Sequence, residues 1–227
     1  MDAASDQGER AIFGSSGFLY RSNKLTYDRR TNSLWHALTG EPVVGALAYS
    51  GARLRQLPVV VSTWAQWRAA HPGTKALGLD TGYTRGYRPD AAYGRYYASP
   101  DTLFPVEPRS AALAPQAFVC AVTLDGVPKA HPLDALERER VVNDTVGATA
   151  VVLVADGRGR TVRAYRRGER SFRSIAADAL VEGRGTRWRV TEDALIAGSA
   201  RLERAPGHIA YWFGWYAFNP RTFLYGR

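Results

Sequence analysis

The sequence predicts a β-rich α+β fold built from two diverged repeats, each a β-meander followed by a short tryptophan-bearing helix ended by proline. Three observations predict it. Short apolar or alternating runs are broken every few positions by Gly, Ser, Asn and Thr, which is the spacing of strands and tight turns. An element with two tryptophans and a closing proline occurs twice. The chain has 227 residues, 45% hydrophobic and 22% charged, enough for a sizeable core and unlike a disordered segment.

The repeat organises the chain. Leu54, Leu57-Pro58, Trp64, Trp67, Pro72 and Thr74 recur at one constant offset as Leu202, Ala205-Pro206, Trp212, Trp215, Pro220 and Thr222. Trp35 has its counterpart in Trp188 at a slightly larger offset, so all 6 tryptophans fall on matched positions. Residues 10–79 form the first repeat and 132–227 the second. Between them, 80–131 is a Tyr/Arg-rich connecting segment ending in a hairpin, and 1–227 make one two-lobed unit.

In order, Ala11–Leu19, Lys24–Asp28 and Leu34–Leu38 read as the first meander. Ser62 or Thr63 can cap a helix in which Trp64 and Trp67, three apart, share one face and are expected to meet a core. Pro72 ends that helix near His71. Phe118–Leu124 is a strand entering an Asp125-Gly126 hairpin turn. Leu133–Arg140 is a short helix with Asp134 and Arg138 one turn apart. Asn143-Asp144-Thr145 reads as a turn held by short polar side chains. Ala150–Ala155 and Thr161–Arg166 flank the turn Asp156-Gly157-Arg158-Gly159 as a second hairpin. His208–Asn219 is apolar nearly all round and reads as a helix covered on several sides, or by another protein. Trp35, Trp64, Trp67, Trp188, Trp212 and Trp215 are therefore assigned structural roles.

Composition narrows the function. Lys+Arg number 30 against 21 Asp+Glu, a formal +9, which favours an anionic partner or surface. The basic residues are mostly arginines, whose planar fork pairs with carboxylates and phosphates. No apolar run is long enough to cross a bilayer, and the first ten residues lack the charged start and apolar stretch of a secretory signal. With 1 cysteine the chain holds no internal disulfide and no zinc knuckle.

Chemistry-bearing residues are scattered. His36, His71, His131 and His208 have no spacing that puts two ligands on one helix face. His71 matches Asn219, and both suit a helix end before proline; His36, beside Trp35, is the histidine expected to be exposed and titrating. Cys120 alternates with Phe118, Val122 and Leu124 and reads as inert core. Gly14-Ser15-Ser16-Gly17 has neither the lysine of a phosphate loop nor the spacing of a nucleophile elbow. No catalytic residue, metal ligand set or cofactor is assigned.

The run Phe13-Gly14-Ser15-Ser16-Gly17-Phe18-Leu19-Tyr20-Arg21-Ser22-Asn23 is followed by Tyr27-Asp28-Arg29, Ser33-Leu34-Trp35 and Thr39-Gly40. Later come Thr63-Trp64, Trp67, His71-Pro72, Thr74, Thr81-Gly82-Tyr83 and Val142-Asn143-Asp144. Together they resemble the uncharacterised prokaryotic family catalogued as domain of unknown function 3179, over nearly the whole chain. The family brings no established activity. Its members carry a Cys-Pro-x-Cys segment just upstream of the Gly-x-Ser-Gly stretch, and often an export or lipid-anchor signal. This chain starts at about the point where that segment would end, which reads as a scaffold kept after its chemistry was dropped, or as a chain whose missing part sits on another subunit.

The expectation is a non-catalytic accessory or structural subunit of a larger, membrane-associated assembly, such as a respiratory or photosynthetic complex. The alternative is an enzyme or redox protein using a metal or thiol supplied by a partner chain. The expected partners are other protein subunits and an anionic membrane surface; nucleic acid is disfavoured because no known module is present. The partner surface is placed on Tyr83, Arg85, Tyr87, Arg88, Tyr93, Arg95 and Tyr96, since tyrosine and arginine dominate interface hot spots. The location is peripheral to a membrane: on the cytoplasmic side by the missing signal, periplasmic by the family resemblance.

Overall fold

The computed structural model describes residues 2–4, 10–88, 92–157, 159–183 and 185–226. Pro89 and Asp90 of the connecting segment and Arg158 of the second hairpin turn lie outside the described residues. The architecture is β-rich α+β, with four sheets and four short helices among the described residues.

Strands β1 (Asp2–Ala4), β2 (Arg10–Tyr20), β3 (Asn23–Asp28), β4 (Leu34–His36) and β5 (Pro42–Val44) form an antiparallel meander in chain order. The two-residue turn between β2 and β3 holds Arg21 and Ser22 at positive φ, matching the twist of the flanking strands. An irregular stretch leads to α1 (Trp64–Ala70), then α2 (Gly94–Tyr97). Thr63 starts α1 with a full capping box, its hydroxyl accepting from Gln66 N while the Gln66 side chain accepts from Thr63 N.

The hairpin of β6 (Phe118–Leu124) and β7 (Val127–Pro132) turns at Asp125-Gly126 and feeds α3 (Leu133–Glu139). Next come β8 (Val141–Val146), β9 (Thr149–Ala155) and β10 (Val162–Arg166), a three-stranded antiparallel sheet. A second five-stranded meander follows: β11 (Phe172–Ala176), β12 (Ala179–Glu182), β13 (Arg187–Val190), β14 (Ala194–Ala197) and β15 (Ala200–Glu203). The chain closes with β16 (His208–Tyr211), α4 (Trp212–Phe218) and β17 (Phe223–Leu224), completing a sheet of order β16-β6-β7-β17.

The core is layered because β6 and β9 are apolar on both faces. Cys120, Val122 and Leu124 of β6 meet Val151, Leu153 and Ala155 of β9, with Leu133 and Leu136 of α3 between the sheets. The alternate residues of β9, Val152 and Val154, turn to the second meander, where Phe172, Leu180, Trp188 and Leu195 cover them. The alternate residues of β6, Val119 and Ala121, turn to α4 and pack with Trp212 and Trp215. Strand alternation thus assigns each side chain to one of three clusters.

Both meanders seat their tryptophan alike. Register sets Phe13 opposite Asp28 and Phe172 opposite Glu182. Trp35 Nε1 donates to Asp28 Oδ2 at 2.9 Å, and Trp188 Nε1 donates to Glu182 Oε2 at 3.1 Å. Phe13 and Phe172 each meet the indole edge-on, with ring centroids 5.7 Å apart in both cases.

Four expectations are corrected. His208–Tyr211 is strand, because its backbone pairs antiparallel with β6, and the helix begins only at Trp212. Asn143, Asp144 and Thr145 lie inside β8, opposite Val152, Val151 and Ala150, so the turn falls after Val146. His36 is 1% exposed, its ring stacked on Phe218 at 3.8 Å. Trp64 and Trp67 face outward, at 51% and 40% exposure, and α1 buries none of its residues.

Candidate functional site

Among the described residues, His36 Nε2, Arg204 Nε and His208 Nε2 are buried without a hydrogen-bond partner. Lys129 and His131 are two apart on β7, so both point to the side where β8 brings Asp144. Lys129 Nζ donates to Asp144 Oδ1 at 2.8 Å, and His131 Nε2 lies 2.7 Å from Asp144 Oδ2. His131 Nδ1 faces the Cys120 carbonyl at 3.4 Å, so each ring nitrogen already faces an oxygen. Tyr225 stacks on the imidazole and donates its hydroxyl to Glu139 Oε2 at 2.8 Å. Burial pushes the Asp144 carboxyl up, but the hydrogen bonds from His131 and Lys129 outweigh it and hold the group far below the usual carboxylate range. The arrangement is a structural clamp between β7 and β8.

The neighbouring Asn143 ties β8 to the second meander. Its Nδ2 donates to the Phe172 carbonyl and its Oδ1 accepts from Phe172 N, both at 2.8 Å. Glu192 is held between Arg163 at 2.9 Å and Arg204 at 2.8 Å. Asp28 accepts from Trp35, Thr31 and two backbone amides of its own turn. Cys120 is buried and its thiol is pushed up to about 12 by that burial, which leaves no thiolate at neutral pH. Among the described residues, no cluster of three or more His, Cys, Asp or Glu side chains is placed to hold a metal ion.

The two tryptophan helices end alike but differ at their start and in cover: the Thr63 side chain caps α1, whereas Tyr211 gives α4 no side-chain cap. Each ends on a residue of nearly the same backbone geometry, His71 at φ −132°, ψ 71° and Asn219 at φ −130°, ψ 62°. Trp67 Nε1 donates to Thr74 Oγ1 and Trp215 Nε1 donates to Thr222 Oγ1, both at 2.9 Å. Helix α4 buries Trp212, Gly214, Trp215 and Ala217, whereas α1 buries no residue. In place of a sheet, Trp67 meets the His71 ring, 4.0 Å away.

The Tyr/Arg segment is equally open. Tyr83, Tyr87, Tyr93 and Tyr97 are 71%, 46%, 60% and 61% exposed. Arg85, Arg88 and Arg95 are exposed as well. Within the segment Arg85 sits over the Tyr83 ring, and the Thr81 and Tyr87 hydroxyls are 2.8 Å apart. Tyr96 alone of the proposed residues turns inward, its ring edge-on to Tyr211 at 6.4 Å. Sequence reasoning missed the exposed apolar side chains before and after this segment in the chain, Leu57, Val59, Val61, Leu77, Leu79 and Phe104. Their signal was available: apolar residues in a proline- and glycine-rich stretch with no periodicity have no face of a regular element to bury.

A groove of about 730 Å³ crosses the first meander between Phe18, Tyr20, Leu34, Val44 and Tyr49. Nothing in the sequence pattern marked it, because its walls come from the far end of the β2–β3 hairpin and the loop after β5.

Residues 3–222 match the family described as protein of unknown function, DUF3179. The chain belongs to the DUF3179 family. No curated protein and no solved structure matches it. In this DUF3179 protein the residues that carried the resemblance are largely architectural. Asp28 and Trp35 hold the first meander, Trp67, His71 and Thr74 close α1, and Asn143 and Asp144 join β8 to its neighbours. Among the described residues, no helix of the DUF3179 chain is long and apolar enough to cross a membrane.

Proposed function

We propose that the protein is a non-catalytic accessory or structural subunit of a membrane-associated assembly and acts through protein–protein contacts. The observation that carries this reading is the contrast between α4 and α1. Helix α4 lays Trp212 and Trp215 on the small aliphatic side chains Val119, Ala121 and Ala130 of β6 and β7. Helix α1 has the same C-terminal geometry and the same tryptophan–threonine bond, but its Trp64 and Trp67 meet water. The two exposed indoles, with the four exposed tyrosines and the flanking aliphatics, support a protein interaction site here.

The partner is therefore a protein surface of small aliphatic residues, of the kind β6 and β7 present to α4, rimmed by acidic groups that pair with Arg85, Arg88 and Arg95. Tyrosine, tryptophan and arginine are the side chains that dominate such contacts. The carboxylates of Asp28, Asp144 and Glu192 support the same reading, since each is engaged by structural partners.

The test is photo-crosslinking from a benzoylphenylalanine placed at Trp64, in the native membrane fraction. One discrete partner band, lost when Arg85, Arg88 and Arg95 are replaced by Ala, is the expected result. A chain that stays monomeric and uncrosslinked overturns the proposal. So does a purified native complex that turns over substrate with chemistry at Asp144 or His131.

A further inference from the structure

The outward face of the second meander carries a charge pattern that the fold does not use. Strand alternation puts Phe172, Leu180, Trp188, Leu195 and Leu202 on the core side of β11–β15, so the residues between them point out. Register then builds two rows. Arg173, Val181 and Arg187 lie side by side across β11, β12 and β13. Ala179, Arg189, Ile196 and Arg201 lie side by side across β12 to β15. Neighbouring strands are about 4.8 Å apart, so Arg173 and Arg187, and likewise Arg189 and Arg201, are separated by about 10 Å. Arg187 and Arg189 are about 7 Å apart along β13.

All four arginines are exposed, and among the described residues none of them has a carboxylate within ion-pair distance. The arginines on the core side and around the edge, Arg163, Arg170 and Arg204, are each paired with Glu192 or Glu182. The outward residues of these strands include a single acid, Glu203, at the end of β15 beside Ala194. Four like charges at this spacing repel one another, so a soluble fold gains nothing from keeping them together unless an anion meets them.

We propose that this face docks on the surface of a bilayer containing anionic phospholipid, a step that rests on the reading of the protein as part of a membrane-associated assembly. Guanidinium forks pair with phosphodiester oxygens in two parallel hydrogen bonds. The arginine stems, with Val181, Ile196 and the exposed Ile175 between them, supply apolar material at the depth where headgroups give way to acyl chains. A nucleic acid fits the face less well. Proteins that bind single strands on a sheet stack bases on aromatic rings, and the aromatic residues of these strands, Phe172 and Trp188, are turned into the core. Against duplex phosphates the isoleucines and valine would be covered by nothing apolar. The α1 and Tyr/Arg surface stays available for the protein partner, because it lies on different elements.

The full chain is mixed with vesicles of pure phosphatidylcholine and with vesicles of three parts phosphatidylcholine to one part phosphatidylglycerol, and bound protein is measured by sedimentation. Binding to the anionic vesicles alone is expected. Replacing Arg173, Arg187, Arg189 and Arg201 by Gln should weaken it by about fivefold for each arginine removed, with melting unchanged. If the fourfold variant does not fold, Arg187→Gln with Arg189→Gln serves the same purpose. Replacing Arg55, Arg85, Arg88 and Arg95 by Gln removes the same net charge and should leave vesicle binding in place. Equal losses in the two fourfold variants would reduce the effect to net charge and overturn the proposal. Tighter, Arg187-dependent binding to a DNA duplex than to the anionic vesicles would overturn it as well. Vesicle binding that fails while the Trp64 crosslink persists removes this face but leaves the proposed function standing; a lost crosslink with retained vesicle binding does the reverse.

Discussion

Trp67 and Trp215 donate to a threonine seven residues on at the same 2.9 Å, yet Trp67 is 40% exposed and Trp215 is 2% exposed. The same local device thus stands once in the open and once in a core, and the two sites should answer mutation differently. Trp215→Ala opens a cavity against Val119, Ala121 and Ala130 and should cost about 3–5 kcal/mol. Trp67→Ala removes a surface ring and one hydrogen bond, so the isolated chain should lose no more than about 1.5 kcal/mol. Urea denaturation of the two variants measures this directly; equal losses would mean that α1 is packed in solution.

The Asp144 carboxylate faces two cationic-capable groups, one of them the wholly buried His131. Asp144→Ala should therefore cost about 3–5 kcal/mol, the range for removing one partner of a buried pair. The pH sign follows from the direction of the shift. A carboxyl held far below its usual range adds stability that is complete above the unfolded value near 4, and that is lost as pH falls further toward the folded value. Asp144→Asn should flatten the acid limb of the stability–pH curve. An unchanged acid limb would place the acid sensitivity elsewhere, in Asp28 or Glu192.

Strands were legible wherever one residue type decided the local geometry. Asp125-Gly126 and the gap before Thr161 announce hairpins, and the period-two run Phe118, Cys120, Val122, Leu124 announces which face of β6 is core. Asn143 and Asp144 were misread as a turn because short polar residues favour turns locally, and only long-range partners keep them in a strand. Those partners, the Phe172 backbone and the His131 ring, are set by tertiary pairing and leave no local trace. The first tryptophan helix was misread for the opposite reason. Its pattern matches that of a buried helix, and what is missing is the sheet that would cover it. The arginine face needed register, since Arg173 comes near Arg187, and Arg189 near Arg201, only when four hairpins align.

His36 gives the fold a second acid sensitivity at milder pH. Burial, reinforced by the charge of Arg21, lowers its pKa from 6.5 to about 4. Its Nδ1 accepts from Thr39 N at 3.3 Å, which a neutral ring permits, and its ring rests on Phe218 of α4. A histidine with a depressed folded pKa contributes stability that is complete above 6.5 and is lost as pH drops toward 4, because the unfolded chain takes up the proton first. His36→Gln, which keeps an acceptor but does not titrate, should show a smaller loss of stability between pH 7 and pH 5 than the parent chain. An identical loss would assign the effect to the half-buried His208, whose pKa is also lowered by burial.

Helix α1 is held to the rest of the protein by its first turn, and a single glycine permits the approach. Gln66 donates to Asp156 and accepts from Thr161 at 3.3 Å, which fixes α1 on the turn between β9 and β10. In that turn Gly159 has φ +67°, and a Cβ there would stand 2.4 Å from the Thr63 methyl group. Alanine at this position meets two penalties: the left-handed backbone, about 1–2 kcal/mol, and displacement of the residue that caps α1. Gly51 isolates the first of these, since its φ is +80° and nothing lies within 4 Å of the added Cβ. Gly159→Ala should therefore destabilise the chain by more than Gly51→Ala. It should also speed limited proteolysis between residues 51 and 88, because α1 then loses its seat. Equal stability and equal cleavage in the two variants would mean that the Gln66 contacts do not hold the helix in place.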